Sequence, residues 1–289
     1  MHDTLVIGGG PAGLQAALTL GRMHRSVVLA DSERYRNDSA RHAHNFLTHD
    51  GRDPADLRRL GRADLAEYAT VQTRELTIER VRETEDGFVA QAGGETIEAR
   101  TLVLATGMTD ELPDVPGLAE AWGAEVANCP FCHGHEFAAR PIGVLGDGPQ
   151  VGELAAMLRP VASEVVTFGH ADLAKVERGP AGLLAHRTDG DPVQLAGLFL
   201  HPRTAQAAPF AEQLGLDLLP SGCVRIDALG RTSRPRVFAA GDLAHVEELP
   251  VPMPSLLAAA AAGLAAGASA VRYLASPEAE TAAHPFADG

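Results

Sequence analysis

VIGGGPAGLQAAL, residues Val6 to Leu18, decides the fold. Thr4 to Ile7 has the apolar run of a strand and Ala12 to Arg22 the spacing of a helix. Between them Gly8, Gly10 and Gly13 stand as GxGxxG. The first glycine permits a tight turn, the second lets the backbone approach a pyrophosphate, and the third lets helix and strand pack closely. Phosphate charge then meets the helix N-terminus. Gly8, Gly10, Pro11, Ala12 and Gly13 are therefore candidate cofactor-binding residues. Ser26 to Ala30 predicts a second strand and completes a βαβ unit. Asp31 closes it about twenty residues after the turn, where a carboxylate accepts hydrogen bonds from ribose hydroxyls and repels a 2′-phosphate.

The chain of 289 residues has room for two modest domains. Hydrophobic content of 45% with only 4% aromatic suits closely packed helices and tight βα turns and excludes a disordered chain. A net charge of -14 lacks the basic footprint that nucleic acid or an anionic membrane requires, so neither is expected as a partner. Val251 to Val271 carries no charge and contains GxxxG at Gly263 and Gly267. Its alanines and glycines gain little in lipid, so a buried helix is expected there, not a membrane span. The start, MHDTLVIGGG, has no basic region before its apolar stretch and reads as a first strand rather than a signal peptide.

Further along, Thr70 to Arg82, Gly87 to Ala92 and Glu95 to Arg100 predict an antiparallel, hairpin-rich insert before Thr101 to Ala105 returns as a buried strand. MTDELPDVPGLAE, with Pro113, Pro116 and Gly117, breaks periodicity and reads as a linker. Ile142 to Leu145 and Val165 to Phe168 are strands of a new unit. After the breakers at Gly230 to Pro235, the strand Arg236 to Ala239 is assigned back to the first domain. The expected fold is α/β, with two Rossmann-like (three-layer ββα) dinucleotide-binding domains, the second inserted into the first and reduced in size. The boundaries are 1–112 and 236–289 for the first domain and 113–235 for the second.

CPFCHGHE, Cys129 to Glu136, carries the chemistry. Thiols separated by two residues close a disulfide without large backbone movement, and a helix start lowers the pKa of one of them. Cys129, Cys132, His133 and His135 are also four possible zinc ligands. Crowded into so short a stretch they would struggle to surround a tetrahedral ion, and no second CxxC or HxxxH half-site occurs, so no metal is expected. With Cys223 read as a packing residue, the cysteine pattern fits a reducing, cytoplasmic setting.

VIGGGPAGLQAAL, LVLATG (Leu102 to Gly107) and VFAAGD (Val237 to Asp242) resemble the three FAD segments of the low-molecular-weight thioredoxin reductase family, whose CxxC also lies in the inserted domain. The resemblance implies FAD as cofactor, with Ala105, Thr106, Gly107, Gly241 and Asp242 among its contacts. It implies that the helix start at Pro254 to Leu257, including Ser255 and Leu256, faces the flavin pyrimidine ring, where the helix dipole would stabilise charge on reduction. RHAHNFL, Arg41 to Leu47, corresponds to chain laid on the isoalloxazine; Asn45 is the best polar contact, while His42 and His44 read equally well as surface residues. Cys132 would face the flavin and Cys129 would exchange with substrate sulfur. The reductases carry Asp after the second cysteine as a proton donor; His133 stands here. His-Gly after the pair is closer to the branch of gliotoxin-type and holomycin-type dithiol oxidases, and an imidazole there could take protons from a dithiol. The family is often a homodimer.

The inserted domain repeats GxG at Gly146 and Gly148, but Val151 occupies the sixth position and TFGHADLAK follows the second strand without the arginines that grip a 2′-phosphate. An NAD(P)H site is therefore disfavoured, and the domain reads as a scaffold presenting CxxC. The expected function is an FAD-dependent dithiol oxidase passing electrons from a substrate dithiol through Cys129 and Cys132 to oxygen. Alternatives are a thioredoxin reductase-like disulfide reductase fed by NAD(P)H or a protein donor (ferredoxin or a flavoprotein), and a non-catalytic flavin redox sensor. The substrate dithiol or disulfide is a small molecule or a thioredoxin-like protein.

Overall fold

The computed structural model describes residues 1–277 and 286. The chain divides into two compact units: Met1–Arg36, Ala55–Thr109 and Ala205–Gly289 form the first, and Asn37–Pro54 with Asp110–Thr204 the second.

In the first unit the strands His2–Ile7, Val27–Asp31 and Val71–Glu75 run parallel. Every residue of Val27–Asp31 is buried, as expected where both faces of a parallel strand are covered. Side chains alternate between two cores. Val6, Val27 and Leu29 meet the helix Pro11–Arg22 and the helix Leu256–Ala275, whereas Leu5, Ile7, Val28 and Ala30 pack with Phe88, Ile97, Phe210 and Val224 on the opposite face.

Glu95–Leu104 is one continuous strand with two roles. Its start pairs antiparallel with Phe88–Ala92, and its end pairs parallel with His2–Ile7 and Val237–Ala239. The expected antiparallel insert is thus smaller than its sequence suggested, because Val71–Glu75 belongs to the parallel sheet, which leaves Arg80–Glu83, Phe88–Ala92 and the start of Glu95–Leu104 as the antiparallel strands.

The second unit repeats the plan in brief. Glu164–Phe168, Pro141–Leu145, Gly197–Leu200 and Val126–Ala127 form a parallel sheet. The helix Pro149–Leu158 covers one face, and the meander Leu173–Gly179, Gly182–Arg187, Val193–Leu195 covers the other. The stretch read as a linker contains a short helix, Leu118–Ala121.

The units differ from the sequence-based boundaries at residues 37–54, 110–112 and 205–235. Residues 205–235 join the first unit, because Phe210, Leu214, Leu216, Val224 and Ile226 fill its core. Residues 37–54 join the second, because Ser39 lies against Gly123, whose φ of +81° and missing Cβ allow that approach.

Candidate functional site

The first unit holds the glycine cradle. Gly8 takes φ +110°, and a Cβ there would strike the carbonyl oxygen of Ala105. A Cβ on Gly13 would strike the carbonyl oxygen of Gly8. The turn is therefore built from close backbone approaches that only glycine permits. A Cβ on Gly10 or on Gly107 (φ +72°) would meet nothing within 4 Å. Gly10 caps the helix Pro11–Arg22 without a side-chain cap hydrogen bond, and Pro11 leads it. Amides at a helix start attract anions, and Ala105 and Thr106 lie against Gly8 beside them.

VFAAGD reaches the same place through the sheet: Ala240 donates its N–H to the oxygen of Leu104 at 2.9 Å, and a Cβ on Gly241 would lie 3.0 Å from that of Ala12. The helix Leu256–Ala275 begins at Ser255, whose hydroxyl accepts from the Ala258 N–H at 3.0 Å. Its GxxxG faces the helix Pro11–Arg22, since Cβ atoms at Gly263 and Gly267 would press on the backbone of Ala12 and Ala16. This helix is also long and apolar enough to cross a membrane, at a mean hydropathy of 1.4, but its small-residue face is spent on the cradle helix. Open space beside Gly10 and Gly107, with a helix start at its base, fits the pyrophosphate of FAD.

Charged groups frame the cradle. The Asp31 carboxylate accepts from the Tyr35 hydroxyl at 2.5 Å, from Arg62 at 2.6 Å and from the Glu33 N–H at 3.1 Å. Arg58 stacks over the Tyr35 ring, 3.8 Å from its centroid. Burial, followed by the Asp31 carboxylate, drives the Tyr35 phenol well above its usual range. Asp242 pairs with Arg36 at 2.8 Å. Arg62 escapes sequence reasoning because the helix Pro54–Ala66 lies outside every motif, and Tyr35 and Arg36 because they follow Asp31 in a stretch with no motif of its own. The signal for the helix was the apolar spacing of Leu57, Leu60 and Leu65.

The second unit holds the redox pair. Cys129 and Cys132 form a disulfide, with Cα atoms 5.3 Å apart. Cys129 caps the short helix Pro130–His133, and the chain stays helical through Gly134 into the turn His135–Phe137. His133 is largely enclosed, and its Nδ1 is buried without a hydrogen-bond partner. Burial pushes this imidazole below its ordinary range, against the opposing charge of Glu136 and the backbone of Gly123. Burial thus favours the neutral ring, the form in which an imidazole can accept a proton. Among the described residues, no group of three or more His, Cys, Asp or Glu side chains could hold a metal ion.

Asn45 sits in the second unit at φ +61°, and its N–H donates to Asp50 at 2.7 Å. His44 lies 3.4 Å from Glu136 and 3.5 Å from Asp50, a link between distant parts of the chain that no local motif announces. At the second glycine turn, Val151 crowds Gly146, at 3.1 Å from where a Cβ would lie. Asp147 holds the His170 ring at 2.7 Å, and Asp172 takes the Gly169 N–H at 2.9 Å. Two carboxylates thus occupy the amides and imidazole where a nucleotide phosphate needs donors, so these residues do not fit NADPH.

Residues 2–179 match the pyridine nucleotide-disulphide oxidoreductase family. The chain is 34% identical over 278 residues to thioredoxin reductase aclD of Aspergillus oryzae, covering 84% of this chain and 88% of that protein. It is 31% identical over 314 residues to thioredoxin reductase sirT of Leptosphaeria maculans, covering 92% of each. Among solved structures, the oxidoreductase from Agrobacterium tumefaciens superposes with a TM-score of 0.87 at 30% identity, covering 96% of this chain and 99% of that one.

Proposed function

Because this chain belongs to the pyridine nucleotide-disulphide oxidoreductase family, we propose that it is an FAD-dependent dithiol oxidase working through Cys129 and Cys132. The observation that carries this reading is the buried, unpartnered Nδ1 of His133 beside the disulfide. A carboxylic acid at that place, as in the reductases the sequence resembles, delivers a proton to a leaving thiolate. A neutral imidazole removes one from an incoming thiol.

One substrate thiol yields its proton to His133, and its sulfur attacks Cys129. The Cys129–Cys132 bond breaks, and its electron pair leaves on the Cys132 sulfur. The second substrate thiol, once deprotonated, attacks the substrate sulfur bound to Cys129, which forms the substrate disulfide and leaves both cysteines reduced. Gly8, Gly10 to Gly13, Asp31, Ala105 to Gly107, Gly241, Asp242 and the start of the Leu256–Ala275 helix would hold FAD, which would supply a two-electron acceptor for the reduced cysteines, with oxygen as the final acceptor. Phe131, 71% exposed between the cysteines, offers an apolar contact to a small dithiol.

The names of the fungal relatives favour a second reading, a thioredoxin reductase-like disulfide reductase. Asp147 and His170 weigh against NADPH as its donor and leave a protein donor. Anaerobic mixing of the flavoprotein with dithiothreitol, NADH and NADPH in turn separates the two. Flavin bleaching by the dithiol alone, peroxide on readmitting air, and loss of both in Cys132→Ser are expected. Rapid bleaching by NADPH would restore the reductase.

A further inference from the structure

His133 needs a route by which the proton it accepts can leave before the second substrate thiol arrives. Its Nδ1 is buried, and Gly123, whose backbone acts on its ring, is itself covered by Ser39. Glu136 lies three residues on along a continuous helical backbone, which places the two side chains on one side of the turn. From the other direction the segment 37–54 brings His44, whose Nε2 lies 3.4 Å from Glu136 Oε1 and whose Nδ1 lies 3.5 Å from Asp50 Oδ1. The Asp50 side chain is 68% exposed.

This segment is fixed in place. Ala43 donates to Arg52 and Gly51 to Ala43, each at 2.8 Å, and Asn45 donates to Asp50 at 2.7 Å. Thr48 adopts a positive φ (72°), which a β-branched residue holds only when the surroundings enforce it, and Asn45 (61°) takes the left-handed region that Asn tolerates. Around His44 stand Glu136 and Asp50, the His42 ring at 6.3 Å and the His133 ring, while His135 acts on Asp50. Glu136 thus acts on the His133 ring through its charge and on the other side meets His44, which in turn meets the exposed Asp50.

We propose that Glu136 and His44 are the proton outlet of His133: the proton taken from a substrate thiol passes to Glu136, then to His44, and reaches water at Asp50. Each transfer returns the donor to its starting state, so one proton enters at His133 and one leaves at Asp50 without net charge build-up. Neither residue touches the exchanging sulfurs in this scheme; both act through His133. The scheme rests on the dithiol reading above.

The test follows reduction of the Cys129–Cys132 disulfide in the holoprotein by dithiothreitol, using acid quench, alkylation and mass measurement, which is independent of flavin colour and oxygen. Glu136→Gln and His44→Gln are expected to slow thiol formation about tenfold or more near pH 6.5, by less above pH 8 where hydroxide takes over, and to recover with added imidazole, whereas Glu136→Asp keeps most of the rate. Far-UV circular dichroism and flavin content show whether each variant is folded; where a Gln variant fails to fold, Glu136→Asp and His44→Asn carry the same pH and imidazole comparison. Equal slowing at every pH, or rates unchanged from wild type, with no rescue by imidazole, would overturn the outlet while leaving the oxidase reading intact. A wild-type disulfide inert to dithiothreitol would overturn both.

Discussion

Asp31 is 3% exposed, and the guanidinium of Arg62 lies 2.6 Å from its carboxylate, so the end of the second strand is tied to the helix Pro54–Ala66 by a charge pair. Burying a carboxylate costs free energy unless hydrogen bonds and an opposite charge meet it. Arg62→Leu leaves Asp31 with the Tyr35 hydroxyl and the Glu33 N–H. Because Arg62 is itself partly exposed, the expected loss is about 1–3 kcal/mol, below that for a fully buried pair. Urea unfolding of the holoprotein measures it. A midpoint equal to that of wild type would show that the pair contributes nothing.

Gly263→Ala tests the seat of the cradle. A methyl group there strikes the backbone of Ala12, which belongs to the glycine turn and cannot move without disturbing it. Overpacking of this kind costs about 1–3 kcal/mol. The variant should melt earlier and, more tellingly, lose flavin on gel filtration. Ala261→Gly, on the exposed side of the same helix, should retain its flavin, and equal flavin loss in both variants would assign the effect to the helix and not to its contact.

The cradle was legible because its pattern is local: Gly8 turns at φ +110°, Gly13 admits the Gly8 carbonyl five residues before it, and Gly10 leaves open space between them, all within one short stretch of residue types. The redox pair was legible for the same reason. Arg62 on Asp31, Arg36 on Asp242 and His44 on Glu136 join residues far apart in the chain through long polar side chains, which leave no periodic trace. The early return of the chain at residue 205 was hidden likewise. Phe210 and Leu214 look like any short apolar stretch until Leu5 and Ile7 are placed beside them.

Thiol counting should distinguish the three cysteines. Cys129 and Cys132 are joined, and Cys223 is 3% exposed with its thiol 3.5 Å from the Asp242 carbonyl oxygen. Burial, only partly offset by Ser221, pushes the Cys223 thiol up, so little thiolate forms near neutrality. The oxidised folded protein should give no fast reaction with an aromatic disulfide reagent, the reduced folded protein two equivalents, and the reduced denatured chain three. A fast equivalent before reduction would place Cys223 within reach of solvent.

Acid should destabilise the second unit in part through His133. Burial holds its imidazole below the ordinary value of about 6.5, although Glu136 and the Gly123 backbone pull the other way. Above pH 6.5 the ring is neutral in both folded and unfolded chains and contributes no pH dependence. As pH falls below 6.5, the unfolded chain takes up a proton that the folded site refuses, so stability drops until the folded ring also titrates. Below that folded pKa the loss is complete and the slope vanishes. Carboxylates add slopes of their own at lower pH, so the informative quantity is wild type minus His133→Gln in urea midpoint between pH 8 and pH 5. That difference should be constant above 6.5 and fall below it. A difference that rises on acidification would mean that Glu136 outweighs burial and that the ring is held charged, which would also remove the neutral base on which the oxidase chemistry depends.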